Sequence, residues 1–193
     1  MLRWPIVLRR ATVADMAAVI RLIDDAAEWL RRKGTDQWSK PWPNRAGRDS
    51  RVLESLAQGK TWIGWDNGIP AATITADRDE DLYWPDHFRR EPAVYVHRLV
   101  VARPYKGVGL GGALLDWAGR TARRDHDAQW IRVSAWTTNA RLHAYYRRQG
   151  FEPCGFHADD GYPSAARFQK PTAGLPASRR GLFIVPWLHP RCE

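Results

Sequence analysis

Two periods run through the apolar and polar positions of the chain, and the changes between them delimit the elements. Ile6 to Arg10 predicts a short first strand. Thr12, followed three residues later by Asp15, resembles a capping box, and Val19, Ile23, Ala26 and Leu30 then recur at helical spacing. Gly34 is placed to end that helix at the C′ position. An aromatic loop, GTDQWSKPWPN from Gly34 to Asn44, leads to a second helix around Arg48 to Gln58. Thr61 to Trp65 and Ala71 to Ala76 predict two strands, and the Asn67-Gly68 turn between them makes a hairpin.

Asp77 to Pro92 is a long charged segment carrying Asp77, Asp79, Glu80, Asp81 and Asp86 beside His87, Arg89 and Arg90. It is expected as a solvated excursion, or else as an acidic rim that attracts a cationic amine. In the next strand, Val94 to Val101, a period of two would put Tyr95, His97, Leu99 and Val101 on one face and Val96, Arg98 and Val100 on the other. A helix from Gly109 to about Arg124 carries Leu110, Leu114, Trp117 and Thr121 along its apolar stripe. Ile131 to Ala135 is a further strand, Thr137 or Thr138 can cap a helix from about Asn139 to Gln149, and Phe151 to Phe156 with Ala165 to Lys170 form a closing antiparallel pair.

The chemistry concentrates where the strand ending at Val101 runs into Gly107, Gly109, Gly111 and Gly112. Glycine permits positive φ, so backbone N–H groups can converge on an anion at the positive end of the following helix. Gly107-x-Gly109-x-x-Gly112 also satisfies a dinucleotide fingerprint, but that motif wants its first glycine directly after the strand and an acidic residue at the end of the next one. Ala102 to Lys106 intervene, and Ile131 to Ala135 ends in Trp136 and Thr137. No GK[ST] follows the glycines, so a P-loop is not indicated either.

Leu99-Val100-Val101, Pro104-Tyr105 and Lys106-Gly107-Val108-Gly109-Leu110-Gly111 together resemble the acyl-CoA-binding core of the GNAT superfamily of N-acetyltransferases, with lysine where Arg or Gln is usual. Asn139-x-x-Leu142-x-x-x-Tyr146-x-x-x-Gly150-Phe151 is similar to a second signature of that family. The resemblance covers about residues 6 to 170. It implies one α/β domain of α+β type over residues 1–170, a mixed, mostly antiparallel sheet of about seven strands with helices on both faces. Residues 171–193, rich in Thr, Ala, Gly, Pro and Ser before the apolar run Gly181 to Trp187, form a tail expected either packed or disordered.

The same resemblance implies the site. Acetyl-CoA would be held by Lys106, Gly107, Val108, Gly109, Leu110, Gly111 and Gly112 at its phosphates, and by the backbone of Leu99, Val100 and Val101 along the pantetheine, with Asn139 adding an amide contact. Tyr146 would be the general acid toward the thiolate, or else a packing tyrosine, while Tyr145 is expected to be structural. Most of the family carries a carboxylate base on or near the strand that here runs from Val94 to Val101, and this strand has none. His97 resembles the strand histidine of the arylalkylamine N-acetyltransferases, which serves a water-linked proton relay; the other reading is a core histidine, with Glu80 or Asp81 acting through water. Trp38 and Trp42 would be walls over the acceptor position, or else buried structural tryptophans, and Tyr162 would lie in a connection that borders it.

Composition adds bounds. A length of 193 residues suits one domain, and Cys154 and Cys192 provide neither a disulfide framework nor metal spacing, so no metal and a cytoplasmic, reducing setting are expected. No signal sequence or apolar run of spanning length is seen, so no membrane partner is expected. The net charge of +9 raises the question of nucleic acid, but the basic pairs, among them Arg9-Arg10, Arg31-Arg32 and Arg179-Arg180, are scattered rather than massed. The expected activity is acetyl transfer to a primary amine of a small molecule by a monomer or homodimer. Protein N-terminal or lysine acetylation, and non-catalytic acyl-CoA binding, stand as the alternatives.

Overall fold

In the computed structural model of the protein, residues 5–78, 84–156 and 162–176 are described in full and residues 184–186 by their backbone. Thr12 opens a short 3-10 turn whose cap is the predicted box: the Thr12 N–H donates to Asp15 Oδ2 at 2.8 Å. Asp15 also accepts both arms of the Arg9 guanidinium, at 2.6 and 2.7 Å, which ties β1 (Ile6–Arg10) to the start of α1 (Met16–Arg32). Gly34, at φ 71, ends α1 in a Schellman motif, with the Gly34 N–H on the Arg31 carbonyl and the Thr35 N–H on the Leu30 carbonyl. Asn44 caps α2 (Arg45–Ala57) by accepting the Gly47 N–H at 2.8 Å.

The hairpin of β2 (Thr61–Asp66) and β3 (Ile69–Asp77) turns through Asn67 and Gly68, both at positive φ as a two-residue turn requires. The charged segment after it holds one helical turn, α3 (Asp86–Arg89). Then come β4 (Ala93–Val101), α4 (Leu110–His126), β5 (Trp130–Ala135), α5 (Ala140–Arg148), β6 (Glu152–Phe156) and β7 (Ala166–Pro171). The sheet order is β6-β7-β5-β4-β3-β2-β1-β8, in which only β4 with β5 and β1 with β8 (Ile184–Pro186) run parallel. The mixed, mostly antiparallel sheet of the sequence reading is thus present. An eighth strand is added by the tail, whose residues 177–183 and 187–193 lie outside the described part.

One face of the sheet buries Ile6, Leu8, Ile74, Val94, Val96, Ile131 and Val133 against α4 and α5, and the other buries Ile63 and Val100 against α1 and α2. Almost every position from Leu110 to Gly119 is buried, a wider zone than the single stripe read from the sequence. At Gly119 the helix is enclosed between β5 and Leu175: a Cβ there would run into Ile131 and lie 2.6 Å from Leu175. Even the charge of Asp116 is enclosed there, paired with Lys170 at 2.9 Å.

Strict alternation fails in β4. Thr75 pairs with His97 and Thr73 with Val100, so two β4 residues, Arg98 and Leu99, stand against the single residue Ile74. This is a β-bulge, and Arg98 takes φ 47 to accommodate it. The extra residue shifts the phase: Leu99 and Val101 pack on the α4 side with Val94 and Val96, whereas Tyr95 lies with Trp84 and Ala93 and Val100 turns toward α1 and α2. The predicted face of Tyr95, His97, Leu99 and Val101 is therefore divided. On its other edge β4 stays paired with β5 only from Ala93 opposite Trp130 to Val96 opposite Val133; beyond that point β5 continues beside β7 alone.

Candidate active site

The glycine turn is braced from below. A 3-10 turn at Arg103–Tyr105 follows β4, and Tyr105 donates its hydroxyl to Asp66 at 2.8 Å, which anchors the turn to the β2–β3 hairpin. Burial, with that bond added, pushes the Tyr105 phenol up to about 12, so it keeps its proton. Gly107 and Gly109 then take φ 78 and 84, and at both the position a Cβ would occupy is open space. Gly109 is the N-cap of α4 and supplies no side chain, so the first-turn amides of the helix lack a side-chain cap. Lys106 and Val108 flank this opening as exposed residues. Gly111 and Gly112, expected as part of the same positive-φ turn, are instead helical members of α4.

The chief concavity is separate from the glycine turn, with a volume of about 600 Å³. Its lining includes Leu99, Ser134, Trp136, Leu142 and Tyr146 near the parting of β4 and β5, and the aromatic side chains of Trp38, Trp42 and Tyr162, the last two in edge contact with ring centroids 5.3 Å apart. His97 and Arg98 enter from the bulge. The fold thus brings Trp38, Trp42, His97, Leu99, Tyr146 and Tyr162 to one cavity, while Val100, Val101, Asn139 and residues 106–112 lie outside its lining.

Tyr146 is buried among Tyr145, Phe151 and Phe168, with ring centroids 5.5 to 5.8 Å away. That burial, and Tyr145 beside it, raise its phenol well above the ordinary value. The Asn139 side chain caps α5 by accepting the Leu142 N–H at 3.0 Å and donates to Gln37 Oε1 at 2.5 Å. Thr138 likewise donates to Asp36 at 2.5 Å. These two bonds fasten the loop after α1 to the start of α5, and Trp38, the next residue, is thereby held over the cavity at φ 57.

The polar floor of the cavity comes from positions the sequence reading did not single out: Lys40, Arg48, Arg51, Lys60 and Arg98, against the two carboxylates of Glu54 and Asp77. Arg51 and Glu54 share a face of α2 by their spacing of three, a visible pattern, but what that face meets depends on tertiary packing. Lys60 pairs with Asp77 at 2.9 Å, and Arg48 binds Asp24 and Asp49. Arg51 lies over the Trp42 ring at 4.6 Å and donates to the Trp42 carbonyl. Burial, then the neighbouring Arg51, bring the Arg98 guanidinium down to about 10. Of the acidic segment Asp77 to Pro92, Asp77 lines the cavity and is paired with Lys60, Asp86 is paired with Arg89, and Asp79, Glu80 and Asp81 lie outside the described part. Among the described residues, no group of three or more His, Cys, Asp or Glu could hold a metal ion, and no helix is long and apolar enough to cross a membrane.

The profile of the acetyltransferase (GNAT) family matches residues 21–151. In sequence the chain is similar to the uncharacterized N-acetyltransferase YesJ of Bacillus subtilis, 31% identical over 153 residues that cover 77% of this chain and 82% of that protein. It is also similar to the S-alkylcysteine N-acetyltransferase of the same organism, 27% identical over 154 residues covering 76% and 78%. In structure it resembles a GNAT-family acetyltransferase from Listeria monocytogenes, with TM-score 0.68, 22% identity and coverage of 86% and 94%. YncA of Salmonella typhimurium, a putative acetyltransferase solved with its cofactor acetyl-CoA, gives TM-score 0.59 at 19% identity, with coverage of 92% and 99%. The matched span runs from within α1 through the parting of β4 from β5 and the glycine turn to the end of the run from Asn139 to Phe151, and with the 31% identical relative it shows that this chain belongs to the acetyltransferase (GNAT) family, a family of acyl-transferring enzymes.

Proposed function

We propose that this protein transfers an acetyl group from acetyl-CoA to a primary amine of a small molecule, by direct attack within a ternary complex. The observation that carries this reading is that one cavity is lined by Tyr146, by Leu99 at the freed edge of β4 and by Trp38, Trp42 and Tyr162. Its volume of about 600 Å³ falls in the usual range for small-molecule sites, about 300 to 1,000 Å³. The S-alkylcysteine N-acetyltransferase is named for a small amine, and YncA was solved with acetyl-CoA, which supports the same substrate and co-substrate classes here.

Acetyl-CoA supplies an activated acetyl group whose thiol is the leaving group. The open turn at Gly107 and Gly109 fits its pyrophosphate, because the uncapped amides of α4 can donate to an anion in space that a Cβ would take. Lys106 adds a positive charge at the rim. Backbone amides of β4 past Val96, no longer paired to β5, are available to the pantetheine and the thioester carbonyl. Tyr146 holds its proton, owing to its burial, and donates a hydrogen bond to the departing sulfur rather than surrendering the proton outright. His97 receives the proton that the acceptor ammonium must lose before its nitrogen can bond the acetyl carbon. Asn139 acts in this scheme as a positioning residue, since its amide is spent on Gln37 and the α5 cap.

Thiol release from acetyl-CoA, measured against amino acids, polyamines, arylalkylamines, aminoglycosides and peptides, tests the reading. Turnover of a small amine with formation of its N-acetyl product is expected. Turnover of peptides alone would replace it with protein acetylation, and CoA binding without turnover of any amine would make the chain a binding domain.

A further inference from the structure

The acetyl-transfer chemistry leaves Arg98 without a task. It sits in the β4 bulge at φ 47, where glycine would hold the backbone without strain and a residue with a Cβ does so at a cost. Bulges beside active sites re-aim side chains, and this one delivers a guanidinium to the cavity on the side of α2, Trp42 and Tyr162, away from the glycine turn. Its charge lies among Arg51, Tyr162, Asp77 and Glu54. Neither carboxylate claims it: Asp77 is taken by Lys60, and Glu54 accepts a bond from Gln58 at 3.1 Å. Among the described residues the Arg98 guanidinium has no ion pair and no side-chain hydrogen bond. Arg51, pinned by Trp42, lies close enough to repel it, so two half-buried guanidinium groups with planar donor forks line one cavity. Such an arrangement is unfavourable until an anion enters, and a carboxylate or phosphate is the anion that the fork geometry fits.

We propose that Arg98, with Arg51 beside it, forms an oxyanion subsite that binds an acidic group on the acceptor itself, so that the acceptors are amines bearing a carboxylate, as α-amino acids do, or a phosphate. This rests on the reading of the cavity as the acceptor site of an acetyltransferase. The acid group anchored at Arg98 leaves the amine of the same molecule to reach the freed edge of β4 beside Leu99 and Tyr146. Discrimination then comes from the subsite: an acceptor lacking the acid would leave the Arg98 guanidinium beside Arg51 with no anion between them.

Matched acceptors test it: L-amino acids, their primary amides and aminoalkyl phosphates, compared by kcat/KM on the full chain and on Arg98→Gln and Arg98→Gly. The full chain is expected to prefer the acid over its amide by about 10- to 100-fold, the usual worth of a hydrogen bond to a charged group, and both variants should bring the ratio close to one. Preference for the amino acid assigns the subsite to carboxylate, and preference for the aminoalkyl phosphate assigns it to phosphate. Arg98→Gly should melt no lower than the full chain, since it relieves the positive φ, which separates loss of the subsite from loss of the fold. Calorimetric titration of an amino acid and of an aminoalkyl phosphate into the CoA-bound protein reads the subsite without turnover, so it stands even if acetyl transfer fails. Equal use and equal binding of acid and amide, or a ratio unchanged in both variants, overturns the proposal. A fall in CoA affinity with the ratio intact would instead place Arg98 in the CoA site.

Discussion

The hydroxyl of Tyr145 occupies the space beside Gly111: a Cβ built there would lie 2.6 Å from the hydroxyl oxygen but 3.7 Å from the ring carbon that carries it. At Gly111, Tyr145 of α5 thus meets the first turn of α4 with its hydroxyl oxygen. Gly111→Ala should therefore destabilise the protein by about 1 to 3 kcal/mol, although alanine is the better helix former. In a Tyr145→Phe background the same methyl meets only an ordinary contact, so the double variant should be at least as stable as Tyr145→Phe alone. Thermal melts of the four proteins check this, and additive losses would show that the contact does not couple the helices.

Gly109→Asp should abolish measurable acetyl-CoA binding, because φ 84 disfavours any side chain and the added carboxylate would enter the opening proposed for phosphate. Calorimetry reads the affinity, and circular dichroism establishes that the variant is folded. Near-native binding by a folded variant would remove the phosphate from this turn.

Asp15 carries a pH signature. The Arg9 hydrogen bonds, opposed in part by burial and aided by the Thr12 N–H, hold its carboxyl down at about 2. A carboxylate whose folded pKa lies below its unfolded value of about 3.9 stabilises the fold above that value, and the contribution is lost as pH falls toward 2. Asp15→Asn should cost about 2 kcal/mol at pH 7, and the gap in Tm from the parent should close between about pH 4 and pH 2. A gap independent of pH would assign the loss to packing.

Much of this architecture is legible in the chain because its signals are local. Asn67-Gly68 makes its hairpin, Gly34 ends α1 and Thr12 meets Asp15 across one turn, each within a few residues. The bulge at Arg98 is not legible, since one inserted residue in a run as apolar as Val94 to Val101 leaves no mark on the pattern, yet it reverses every face after it. Asn139 reads as a ligand in its motif, while the structure spends its amide on Gln37, 102 residues away in sequence, a pairing that no local period encodes. The basic floor of the cavity is hidden for the same reason: Arg51 and Arg98 meet only after α2 folds across β4. Gly111 reads as part of an anion loop, though its lack of a Cβ makes room for Tyr145.

His97→Ala should lower kcat/KM for a basic amine by about 10²- to 10⁴-fold and displace the acidic limb of its pH profile, which belongs to an imidazole of ordinary pKa about 6.5 if this residue relays the proton. Affinity for acetyl-CoA should hold. A limb that stays in place at near-native rate would move the relay to another group, such as Glu54, a carboxylate that lines the cavity and accepts a bond from Gln58.

Acetyl transfer at this cavity, with the sulfur leaving against Tyr146, is tested most directly by kcat for thiol release in Tyr146→Phe, measured beside its dissociation constant for acetyl-CoA. The ring packing against Phe151 and Phe168 survives that change and only the hydroxyl goes. The expected result is a fall in kcat of about 10²-fold or more with acetyl-CoA affinity nearly unchanged. A folded Tyr146→Phe protein that turns over at the parent rate would contradict it.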